Sequence, residues 1–242
     1  MPRSTSRATA PRSTQTRATE RTGTALAINC TGKSEAPFDG KPTSAGHGGA
    51  RLRADRTSDH LTAKQARAIM LAALAAERIG QPFTRMVTVH WERAGIPDHA
   101  AAAATGRLVK LATDWARRQG ARIRWAWTRE NDPGKGSHLH LLLACPRSLP
   151  IGRMWRRWLR AITGRPYRSG IMNTRRIGDS LSLPLDYPSA YREHLFKATA
   201  YLCKNVDPAA APAFGLKRIE PGGRVIGKRS SVCQGLSKLR AD

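Results

Sequence analysis

Arg122-Ile-Arg-Trp-Ala-Trp-Thr-Arg-Glu130, Asn131-Asp-Pro-Gly-Lys-Gly136 and Ser137-His-Leu-His-Leu-Leu-Leu-Ala-Cys145 run consecutively and read as strand, turn and strand. Side chains alternate between the two faces of a strand. Ile123, Trp125 and Trp127 therefore share one face of the first strand, and Arg124, Ala126, Thr128 and Glu130 share the other. In the second strand Leu139, Leu141 and Leu143 oppose His138 and His140. A slip of one residue would expose every apolar side chain, so the two apolar faces are expected to meet on one core. Glu130 then shares the opposite face with His138 and His140. The two imidazoles stand about 7 Å apart along the strand, within reach of one ion. Two imidazoles and a carboxylate suit a divalent cation such as Mg²⁺ or Mn²⁺, with positions left for phosphate oxygens.

Outward from this hairpin, a helix is expected over Thr62–Ile79, with Ser58 or Asp59 near its start and Gly80 after its end. Phe83–Trp91 alternates as a strand, and His90 at its end is expected on the histidine face as a neighbour of the site. Asp98–Gln119 is an Ala-rich helix between Pro97 and Gly120. Arg153–Thr163 is a helix, 170–175 a short strand and Pro188–Asn205 a helix. The order predicts an α+β fold: a ferredoxin-like (RRM-like) antiparallel sheet with helices mainly on one face.

The chain has 242 residues and a formal charge of +25, with 42 Lys and Arg against 17 Asp and Glu. Such an imbalance suits a polyanionic partner, and the preference for Arg suits bidentate phosphate contacts. Residues 1–58 are rich in Ser, Thr, Arg and Gly and poor in large apolar residues, so a disordered basic arm is expected there. Residues 208–242 read as a basic, Pro/Gly-rich tail, which leaves 59–207 as the folded domain. The four cysteines form no metal-ligand or disulfide pattern, which suggests a reducing, cytoplasmic setting. No apolar run has the length of a membrane span.

On a 3.6-residue period, Tyr191, Leu195, Ala198 and Leu202 form an apolar stripe, and His194, Lys197, Tyr201 and Lys204 a polar one. Tyr201 is expected to face outward between Lys197 and Lys204, whose charges favour a phenolate and hold a phosphate. In the earlier helix, Trp155 and Trp158 are expected in the core, while Arg153, Arg156, Arg157 and Arg160 are candidate phosphate contacts. Arg124, Arg175, Arg176 and Gly227-Lys228-Arg229 are further candidates.

His138-Leu-His140, Glu130 one hairpin turn upstream and Tyr201-Leu-Cys-Lys204 on a later helix resemble the motifs of the HUH endonuclease superfamily, especially its rolling-circle replication initiators. Phe83-Thr-Arg-Met-Val-Thr-Val-His90 resembles the first strand motif of that family. The resemblance spans about residues 82–206. It implies that Tyr201 attacks a phosphodiester of single-stranded DNA at a replication origin, leaving a 5′-phosphotyrosine and a free 3′-hydroxyl. Lys204 would assist, and His138, His140 and Glu130 would hold the metal. A single tyrosine implies no second built-in nucleophile, and without a nucleotide-binding loop any unwinding would fall to a host helicase. The same chemistry would serve a single-tyrosine transposase or a mobilisation relaxase. A basic nucleic-acid-binding protein without catalysis is the alternative from another class.

Overall fold

A computed structural model describes residues 55–178 and 180–237. In chain order the elements are β1 (Thr57–Ser58), α1 (Ala63–Arg78), β2 (Arg85–His90), α2 (Asp98–Arg118), β3 (Arg124–Asp132) and β4 (Gly136–Ala144). They continue with α3 (Trp155–Thr163), β5 (Met172–Arg176), α4 (Leu183–Asp186), α5 (Pro188–Cys203), β6 (Val225–Ile226), β7 (Ser230–Val232) and α6 (Gln234–Ser237). The five-stranded sheet is antiparallel throughout and runs β5-β2-β4-β3-β7, while β1 pairs separately with β6. The segment β2-α2-β3-β4-α3-β5 thus builds the βαββαβ unit of an α+β ferredoxin-like fold.

The local reasons are legible residue by residue. Thr62 and Gln65 cap α1 reciprocally, side chain to backbone in both directions, so the cap lies at Thr62 rather than at Ser58 or Asp59. Gly136 closes the hairpin at φ 65°, and a β-carbon there would run into the Glu92 carboxylate. The β3–β4 register pairs Trp127 with Leu141 and Glu130 with His138, which fixes the facing that the alternation requires.

Both faces of the sheet are covered. Val87, Val89, Trp127, Leu139, Leu141 and Leu143 pack under α2 and α3 with Leu108, Trp155, Trp158 and Leu159. On the other face Ala126, Leu142 and Ala144 pack under α1 and α5 with Ile69, Ala72, Ala76, Tyr191, Leu195 and Leu202. Helices mainly on one face therefore describes α2 and α3 only. The reason is Leu142: it lies on the histidine face and, with Ala126 and Ala144, needs a second apolar layer.

The boundary at 208 also moves. Beyond it, β7 pairs with β3 through Ala126↔Val232 and Thr128↔Ser230, and β6 pairs with β1. Arg229, expected among the DNA contacts, is buried; its Nε donates to Ser58 Oγ at 2.9 Å and its Nη2 to the carbonyls of Ser58 and Gly223. Of the expected N-terminal arm, residues 1–54 lie outside the described residues, whereas Thr57–Ser58 form β1.

A second buried guanidinium, Arg129, pairs with Asp98 at the start of α2 and donates to Ile226 O at 2.9 Å. Asp98 also accepts from Ser137 Oγ at 2.8 Å and from Ile226 N–H at 2.6 Å. One carboxylate thus ties α2, β3, β4 and β6 together. Asp98→Ala strands the Arg129 charge in the interior and is expected to lower unfolding free energy by about 3–5 kcal/mol, read from urea denaturation. An unchanged midpoint would show that Arg129 finds another partner.

Candidate metal and tyrosine site

The hairpin end nearest the turn brings the candidate ligands together. Glu130, His138 and His140 are all buried, and one ligand atom of each lies within 4.8 Å of the others, so this group could hold a metal ion. His138 Nε2 stands 3.0 Å from Glu130 Oε2, and His140 Nε2 stands 3.5 Å from the same oxygen. His138 Nδ1 lies 2.8 Å from Gly136 O, and a carbonyl only accepts, so Nδ1 carries the hydrogen. In a neutral His138 the Nε2 lone pair then faces a carboxylate oxygen. Two acceptors hold that distance only with a proton or a cation between them. His140 Nε2 is buried without a hydrogen-bond partner, while its Nδ1 meets Thr88 Oγ1 at 3.1 Å. Converging lone pairs, one of them orphaned, fit a cation with borderline nitrogen and oxygen preference.

Neighbours complete the electrostatics. Asn205 Nδ2 lies 3.4 Å from Glu130 Oε1 and orients the carboxylate. Lys204 is buried, contrary to the outward-facing stripe; its Nζ lies 3.1 Å from Glu130 Oε2 and 2.8 Å from Glu220 Oε2. Lys204 caps α5 in helical backbone geometry directly after Cys203, with the two acids beside its ammonium. Burial alone pushes the Glu130 carboxyl up, but the facing imidazoles of His138 and His140 and the Lys204 charge outweigh it and hold it well below the usual carboxylate range. Burial would lower the Lys204 ammonium, but Glu220 and Glu130 raise it, so it remains charged and is no proton acceptor at neutral pH.

Tyr201 is 38 % exposed and lines an open cleft. Its ring meets His140 edge-on at 4.9 Å between centroids, and Lys204 Nζ lies 4.7 Å from the ring centre. His138, His140 and Tyr201 line one cleft of about 510 Å³, whose walls add His90, Lys135, Asn173, Arg175, Arg176, His194 and Lys197. Many of these polar side chains are cationic, and they surround the tyrosine.

The expected phosphate contacts divide. Lys197, Arg175 and Arg176 reach the cleft. Arg124 sits at the other end of β3 and donates to Gln81 Oε1 at 2.9 Å. Arg153, Arg156, Arg157 and Arg160 are exposed on or beside α3, which covers the opposite face of the sheet, so they do not join the cleft. Sequence reading missed four neighbours: Asn205, Glu220, Thr88 and Asp132, whose Oδ2 is 3.7 Å from His138 Nε2. Parity along the strands would have found Thr88 and Asp132, since each shares the face of its pairing partner.

His90, stacked on His138 at 5.6 Å, is lowered to about 4 by burial and by the charges of His138, Arg93, His140 and Lys135. His140 is lowered chiefly by burial, with Glu130 opposing. An unfolded imidazole takes its proton near pH 6.5, so the unfolded chain binds more protons than the folded one below that value. Stability is expected to fall as pH drops from about 6.5 toward 4, and further below about 4.5 as Glu130 loses its partners. Urea midpoints across pH 7 to 4 would read this, and a flat profile would contradict it.

Lys204 supplies one positive charge where a divalent cation would supply two. Lys204→Met is expected to tighten Mn²⁺ binding by several-fold through removal of like-charge repulsion, measured by isothermal titration; weaker binding would show that Lys204 orients Glu130 instead. No family model, curated protein or solved structure matches the chain, and among the described residues no helix is long and apolar enough to cross a membrane.

Proposed function

We propose that the chain is a metal-dependent tyrosine endonuclease that nicks and rejoins single-stranded DNA at a replication origin, as a rolling-circle initiator does. The observation that carries this reading is the convergence of Tyr201, His138 and His140 on one cationic cleft, with Glu130 buried against the two imidazoles. A reachable tyrosine beside a metal-type donor set is what a phosphotyrosine transfer requires. Among divalent ions, Mn²⁺ suits two imidazoles better than Mg²⁺ does. Bound there, the cation would polarise the scissile phosphate and offset the charge that develops on it.

The residues of the chain supply the rest. Lys197, Arg175 and Arg176 hold the phosphate backbone in the cleft. The Tyr201 oxygen forms a bond to phosphorus as the bond from phosphorus to the 3′-oxygen breaks. The phenol proton leaves to solvent, and the released 3′-oxygen gains one. One phosphoester replaces another, so the strand can be resealed by the reverse step. Lys204 stays protonated and stabilises negative charge near the phenolate rather than accepting the proton.

Purified protein, a pool of circular single-stranded DNA carrying many origins and Mn²⁺ provide the test. A denaturant-resistant protein–DNA adduct that disappears with chelator is the expected result. Cleavage without an adduct would move the nucleophile to water and overturn the tyrosine reading.

A further inference from the structure

A second depression lies across the sheet end from the cleft. Its walls carry Arg93, Arg160, Arg165 and Arg168, with Tyr167 and Ile171 beside them. Among the described residues none of these four guanidinium groups makes an ion pair or a hydrogen bond, whereas Arg129, Arg192, Arg218 and Arg224 each find a carboxylate. Four uncompensated like charges in one concavity repel each other, and an anion relieves that repulsion. The backbone holds the arginines close. Gly95, at φ 79°, lets the Arg165 side chain lie against it, and a β-carbon there would collide with Arg165 Nη1. Arg93 Nη1 reaches to 3.7 Å from where a β-carbon of Gly170 would stand.

The depression and the cleft share one strand end. His90 lines the cleft, and its N–H donates at 2.8 Å to the carbonyl of Ile171, which lines the depression. Arg93 follows His90 by three residues. A chain of phosphates leaving the cleft past His90 therefore meets these arginines next. Base recognition is not built in: the one ring in the depression, Tyr167, has Arg156 over it at 5.3 Å. Planar guanidinium groups and no free ring favour backbone contacts.

We propose that this arginine depression binds the backbone phosphates of the single-stranded flank that continues out of the cleft. The proposal rests on the single-stranded DNA reading of that cleft. It gives the protein a second, sequence-independent anchor for the substrate on the α3 side.

Full-length protein is titrated with fluorescent single-stranded DNA of about 20 nucleotides over a range of salt, without divalent metal, so that no cleavage is required. Arg165→Gln/Arg168→Gln is compared with wild type and with Arg107→Gln/Arg118→Gln, two exposed arginines of α2 that remove the same charge. Two lost phosphate contacts should lower the slope of log K against log salt by about 1.4 in the depression variant, and by much less in the control. Equal changes in the two variants would reduce the effect to net charge and overturn the proposal. A loss confined to duplex DNA would assign the surface to duplex instead. Adduct formation by Tyr201, measured separately, can fail while this anchor holds, and the reverse is equally readable.

Discussion

Tyr201→Phe is expected to reduce adduct formation by on the order of 10⁴-fold or more while leaving the fold intact. The change deletes one oxygen. Phenylalanine keeps the ring that meets His140 edge-on and that lies below Lys204 Nζ, so the packing of α5 should persist. The residue is 38 % exposed and its hydroxyl has no hydrogen-bond partner among the described residues, so no buried polar group is orphaned by the loss. Mn²⁺ affinity and the urea midpoint should match wild type. Activity retained in the variant would remove Tyr201 from the chemistry, and a large fall in the midpoint would make its role structural.

The second large effect is at Glu130, where function and stability are coupled. Glu130→Ala removes the one carboxylate that faces His138, His140 and Lys204 together. Lys204 retains Glu220, but the inner side of its ammonium is left in a buried cavity beside Asn205, which loses its own acceptor. Breaking a buried pair in this way costs about 3–5 kcal/mol, and metal affinity should fall by about 100-fold or more with the carboxylate of the Glu130-His138-His140 group gone. Glu130→Gln separates the two effects. The amide keeps the shape and can accept from Lys204, so most of the stability should return while metal affinity stays low. Calorimetric titration with Mn²⁺ beside urea denaturation reads both; equal metal binding by all three proteins would dissociate Glu130 from the ligand set.

The hairpin was the most legible part of the chain because its alternation leaves one register open. Trp127 with Leu141 and Glu130 with His138 follow from parity alone, and the structure pairs them so. The strand and helix order of the ferredoxin-like unit followed in the same way from periodicity and from Gly and Pro positions. What failed is the expectation of helices mainly on one face, which leaves the histidine face uncovered. Leu142 departs from the alternation beside it, and a continuous Leu141-Leu142-Leu143 run is the mark of a strand covered on both sides. Its partners Ala126 and Ala144 are small, so the second core gave only a weak apolar signal, yet α1 packs an alanine surface closely against it.

Short strands were equally hard to see. Ser230–Val232 has three residues and Val225–Ile226 two, too few for a period, and both follow Pro/Gly-rich sequence. Their place is fixed by Asp98, Arg129 and Arg229 through bonds to backbone groups far along the chain, which no local pattern encodes. Lys204 was misplaced for a related reason. Its helical position is right, since Lys204 keeps helical backbone angles, but the acids Glu130 and Glu220 that cover it come from far along the chain.

The central claim is that one tyrosine oxygen becomes bonded to DNA. The adduct formed with Mn²⁺ and origin-bearing single strands would be digested with nuclease and protease, and the peptides sequenced by mass spectrometry. A nucleotide remnant on the peptide containing Tyr201, linked through a 5′-phosphate, is the predicted result. Cut DNA with no nucleotide on any peptide, or a nucleotide on a different residue, would contradict the account.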